Sequence, residues 1–62
     1  MGRNKRPWDL LVRVELKDGR VWFIKCDRIE VDGRRVYFVS SDGRIVRSWL
    51  LTNVASWHKV EG

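Results

Sequence analysis

The amino-acid sequence predicts one small all-β domain: five or six short antiparallel strands, bent strongly enough to close on a single core. Three observations predict it. Apolar residues alternate with polar ones along short runs, the period of a half-buried strand. Asp-Gly-Arg occurs three times, at Asp18-Gly19-Arg20, Asp32-Gly33-Arg34 and Asp42-Gly43-Arg44, each between two such runs, and Asp-Gly in that setting marks a hairpin turn. No long segment has helical periodicity. The triplets stand 14 and then 10 residues apart, a meander rhythm rather than a solenoid repeat.

The first strand is read over Leu10–Leu16, with Leu10, Val12, Val14 and Leu16 inward. The second is Val21–Cys26. Two hairpin loops are open between them. A two-residue Asp18-Gly19 loop pairs Val14 with Phe23, whereas a three-residue Lys17-Asp18-Gly19 loop pairs Val14 with Trp22 and Val12 with Ile24. The registers differ by one residue, which flips Trp22 to the other face. The longer loop is preferred because it turns Trp22, Ile24 and Cys26 inward. It leaves Val21, Phe23 and Lys25 outward beside Arg13 and Glu15. A third strand spans about Asp27 to Val31, with Ile29 and Val31 inward, placed to run on from the second through a bend. The fourth is Arg35–Val39, with Val36 and Phe38 inward, and the fifth Arg44–Trp49. A three-residue Ser41-Asp42-Gly43 loop pairs Phe38 with Val46 and Tyr37 with Arg47, so Tyr37 and Arg47 are expected side by side on the outer face. One short helical turn is expected near residues 50–53, and a last strand over Val54–Val60.

A chain of 62 residues holds one domain. Domains this short bury only about 60% of the surface of their unfolded chains, so the core must be efficient. Trp8, Trp22, Trp49, Trp57, Phe23, Phe38 and Tyr37 supply the area, each large ring burying on the order of 150–250 Å². Residues 1–7, ending in Pro7, are read as a flexible basic arm and residues 8–62 as the domain. Trp49 and Trp57, which flank the helical turn, are read as closing the barrel. Cys26 is the only cysteine, which excludes an intrachain disulfide and reads as a small buried hydrophobe in a reducing, cytoplasmic setting. No run approaches the roughly 20 apolar residues that span a bilayer, and the basic N-terminus leads into no continuous apolar segment, so neither membrane nor signal peptide is expected.

Over residues 8–60 the order of a long first hairpin, a central meander, a single helical turn and a short closing strand resembles the small SH3-like and Sm-like β-barrels. The stretch Leu50–Trp57 resembles the closing segment of small uncharacterised bacterial and phage β-proteins. The Sm resemblance implies RNA contact by an Asp and an Asn in the loop near residues 26–36. Asp27 and Asp32 are present, whereas that Asn and a Gly of the second strand are not. Small archaeal chromatin proteins are similar in size, basicity and Trp-bearing sheet, but they are Lys-rich, and nine of the thirteen bases here are Arg.

The functional reading follows from charge and aromatics. The formal net charge is +5. Arg3, Lys5 and Arg6 outweigh Asp9 within the first nine residues, and Arg is the side chain suited to phosphate forks and to stacking. A single Cys and a single His, His58, supply neither a zinc site nor a nucleophile with its base and orienting group, and no Gly-rich phosphate loop is present. No enzyme and no cofactor are therefore expected. The expected activity is low-specificity binding of DNA or RNA. Its residues are Arg3, Lys5 and Arg6 of the arm, and Arg13, Phe23, Lys25, Tyr37 and Arg47 of the outer face. Phe23, Tyr37 or Trp22 would stack or wedge while the cations meet phosphates. The alternatives are a protein-interaction or homo-oligomeric module using the same exposed apolar residues, or a scaffold carrying only its fold.

Overall fold

The computed structural model describes residues 9–61. The arm expected over residues 1–7, and Trp8, lie outside the described residues. Six strands form, in the order β1 (Leu10–Leu16), β2 (Val21–Cys26), β3 (Arg28–Asp32), β4 (Arg35–Val39), β5 (Ile45–Leu50) and β6 (Val54–Glu61), with one 3₁₀ turn over Leu51–Asn53. They pair into two antiparallel sheets, β2-β1-β6 and β3-β4-β5.

Alternation in β1 sends Val12, Val14 and Leu16 into the core. The β1–β2 hairpin takes the three-residue loop: Leu16 N–H donates to the Arg20 carbonyl at 2.8 Å, and Gly19 holds φ 94°, a value that favours glycine. Val14 therefore faces Trp22 and Val12 faces Ile24. Ile24 and Cys26 are buried and Trp22 is half-buried against them.

At Asp27 the chain passes from one sheet to the other. Its N–H donates to the Val39 carbonyl at 2.8 Å, and its Oδ1 accepts the Asp9 N–H at 2.8 Å, which pins the bend on both sides. In β3, Ile29 packs on the core. Val31, expected inward, stands opposite buried Val36 yet is 55% exposed: β3 is an edge strand, with a neighbour in its sheet on one side alone.

The β4–β5 register corrects the expected one. The tip is a three-residue loop as read, with Ser40 N–H on the Arg44 carbonyl at 2.8 Å and Gly43 at φ 87°. Val39 then faces Ile45, but Phe38 faces Arg47 and Tyr37 faces Ser48. Val46 is an extra, bulged residue, and every later side chain of β5 sits one place off the regular ladder. The shift puts Trp49 opposite Val36, on the core side.

The second crossing between sheets is the 3₁₀ turn. Leu51 N–H donates to the Arg34 carbonyl at 2.6 Å, and Lys17 N–H donates to the Asn53 carbonyl at 2.9 Å, so the turn braces both the β1–β2 and the β3–β4 tips. The core lies between the sheets: Val12, Val14, Leu16, Ile24, Cys26 and Val54 from one, Val36 and Phe38 from the other, with Trp49 and Trp57 packed against it. Among the described residues no helix is long and apolar enough to cross a membrane.

Candidate nucleic-acid interface

The outer face of the β2-β1-β6 sheet is built in cross-strand rows. Arg13 on the central strand stands opposite Phe23 of β2 and opposite His58 of β6. Glu15 stands between Val21 and Ser56, and Leu11 faces Lys25. Strands lie about 4.8 Å apart, so each row is a continuous strip of side chains. Phe23 is 59% exposed and Val21 is exposed beside it. Arg13 Nη1 reaches Glu15 Oε1 at 3.5 Å, a half-exposed pair that exchanges readily with water.

Three of the expected residues, Arg13, Phe23 and Lys25, thus share one face. Tyr37 and Arg47 do not join them or each other. Tyr37 lies between Glu30 and Ser48 in the other sheet. Arg47, turned by the Val46 bulge, lays its guanidinium over the Trp22 ring, 4.2 Å from its centroid. That contact bridges the two sheets, as does Trp22 against Trp49 at 5.8 Å between ring centroids. Trp22, turned inward as the register predicts, is therefore a seam residue with Arg47 across its ring, which leaves Phe23 as the ring open to stacking on this face. Arg3, Lys5 and Arg6 lie outside the described residues.

Several cations are engaged locally. Arg20 Nε lies 3.3 Å from Asp18, Arg28 Nε 2.5 Å from Glu30, and Arg44 Nη2 3.9 Å from Asp42. These pairs are more than half exposed, and pairs of that kind are worth only about 0–1 kcal/mol, so a polyanion can draw the arginines away. The Ser40 hydroxyl, and after it the Arg44 N–H, hold the Asp42 carboxyl below the usual carboxylate range. Burial, aided by the Asp27 charge and opposed by a hydrogen bond from the Arg28 backbone, pushes the Cys26 thiol up. This is the state of a protonated core residue rather than of a nucleophile.

A second feature is absent from the sequence reading. A cleft of 550 Å³ opens between the β1–β2 tip and the 3₁₀ turn, lined by Leu16, Lys17, Asp18, Arg20, Trp49 and Asn53. The cations of the tip were legible. Their meeting with Trp49 was not, because it brings together residues more than 25 places apart, across a tip bonded to the 3₁₀ turn by Lys17 N–H and the Asn53 carbonyl. Comparison with protein-family models, curated proteins and solved structures finds no match to this chain.

Proposed function

We propose that this domain binds nucleic acid with low sequence specificity through the outer face of the β2-β1-β6 sheet. The observation that carries the reading is the Phe23 ring, 59% exposed, in one row with Arg13 and two residues along the strand from Lys25. An exposed ring accepts any unpaired base, and the adjoining cations meet the flanking phosphates. Nothing in that row is a side-chain amide of the kind that reads adenine edges, which accords with low specificity. Arg3, Lys5 and Arg6 belong to the same reading by their charge, and the net charge of +5 draws a polyanion to the domain.

The two sheets support a reading as halves of an SH3-like barrel, with Trp22, Arg47 and Trp49 closing the seam by side-chain contact. A single buried thiol, Cys26, supports a reducing, cytoplasmic setting.

The test is titration of a labelled single-stranded oligonucleotide at two salt concentrations. Phosphate contacts by Arg13 and Lys25 predict a log–log slope of about −1.4 against salt, steeper with each arm cation that joins them. Phe23→Ala is expected to weaken binding by about tenfold, the lower end of what one base–aromatic stack is worth. No binding at low salt, or binding indifferent to salt, refutes the reading. A second reading, assembly of copies of the chain, is favoured by Ile45, Val46 and Leu50, all exposed on β5 at the edge of its sheet. Light scattering that shows a monomer at high concentration excludes it.

A further inference from the structure

We propose that the cleft beside the 3₁₀ turn is a nucleotide site, distinct from the Phe23 face. Its ring partner is Trp49 and its phosphate partners are Lys17 and Arg20. This inference goes beyond the sheet-face reading and does not depend on it.

Four observations carry the assignment. The cleft volume, 550 Å³, falls within the range of small-molecule sites. Trp49 lines the cleft and is held from behind by the core. Phe38, fully buried, meets its ring edge-on at 5.8 Å, and Trp22 meets it at 5.8 Å with a tilt of 57°. A ring so clamped loses little freedom when a base settles on it, so stacking is not offset by ordering. The rim is rigid as well. Lys17 N–H on the Asn53 carbonyl fixes the tip to the turn, and the Asp18 carboxylate accepts the Arg20 N–H at 3.0 Å.

Charge selects the ligand. The cleft presents Lys17 and Arg20 against Asp18 alone, a net single positive charge. Arg20 and Asp18 are both well exposed, so their pair yields to a phosphate that Arg20 can also grip. A neutral aromatic ligand would leave Lys17 unused, and a bare anion would leave Trp49 unused. A nucleoside monophosphate uses both.

The probes are adenosine monophosphate and inorganic phosphate, each titrated into the isotope-labelled full chain at low salt and followed by nitrogen–proton NMR. Adenosine monophosphate is expected to shift the Trp49 indole N–H and the Lys17, Arg20 and Asn53 amides saturably, leaving the Phe23 amide in place. Lys17→Glu changes an exposed side chain and keeps its backbone bond. It is expected to weaken binding about tenfold, the worth of one charge-assisted contact. Trp49→Leu keeps an apolar side chain against the core but removes the ring, and is expected to erase the preference for the nucleotide over inorganic phosphate. Equal binding of the two probes by the native chain overturns the assignment, as does a titration that leaves the Trp49 indole unmoved. An oligonucleotide that fails to shift the Phe23 row counts against the sheet-face reading alone.

Discussion

The β1–β2 and β4–β5 hairpins end in the same tip and then diverge. In each, Asp-Gly ends a three-residue loop closed by the following Arg, Gly19 and Gly43 take φ 94° and 87°, and the Asp accepts the Arg N–H at 3.0 and 3.1 Å. Past the tip, β2 runs in regular register and puts Ile24 and Cys26 in the core. β5 spends Val46 on a bulge and so turns Arg47, not Val46, to the side of Phe38. A turn therefore sets register only for as long as the strand leaving it stays regular. The third triplet reinforces the point. Asp32 already pairs with Arg35, leaving a two-residue Gly33-Arg34 loop in which Gly33 alone has positive φ, the pattern of a type II′ turn.

Deletions should break this contrast most sharply. Removing Phe23 from β2 would bring Lys25 and Asp27 to the inward places of Ile24 and Cys26. That cost is expected to exceed the roughly 3–9 kcal/mol of stability typical of 62 residues, so circular dichroism should show an unfolded chain. Removing Val46 from β5 deletes only the unpaired residue. It is expected to change stability by less than about 1 kcal/mol and to keep the Arg47–Trp22 contact, which urea unfolding and Trp fluorescence would report. If both deletions unfold the domain, Val46 is not a spare residue and the contrast fails.

The shared tip predicts a matched pair of smaller effects. An added Cβ at Gly19 or Gly43 meets nothing within 4 Å, so Gly19→Ala and Gly43→Ala are each expected to cost only backbone strain, about 1–2 kcal/mol, and nearly the same amount in thermal unfolding. Unequal costs would mean that the two tips differ beyond what their hydrogen bonds show. Arg47→Ala should follow at about 0.5–1 kcal/mol, through loss of its contact with the Trp22 ring.

The smallest effect is a titration. Because the folded Asp42 carboxyl sits below its ordinary pKa, its share of stability is present above that ordinary value. It is lost as pH falls through the folded one. Ser40→Ala removes the leading cause, so the Asp42 carboxyl carbon, followed by NMR, should titrate at higher pH than in the native chain. An unmoved titration would assign the effect to the Arg44 N–H instead.

Much of the fold was legible because its causes are local. Alternation marked β1, β2 and β4, and glycine chemistry marked all three tips. The preference for burying Trp22, Ile24 and Cys26 chose the right loop at Lys17–Gly19. In the candidate site the same logic brought Arg13, Phe23 and Lys25 to one face. It failed for Tyr37 and Arg47, where one bulged residue, with no glycine or other mark in the sequence, shifted the ladder.

By itself, then, the sequence determined the strands, their tips and the outward set of β1 and β2, since each depends on residues a few places apart. Only the tertiary structure decided the rest. The bulge at Val46 lets Trp49 reach the core and Arg47 reach Trp22. The cleft lies where the Lys17 N–H meets the Asn53 carbonyl across the molecule. Those choices belong to packing between the two sheets, which no local periodicity records.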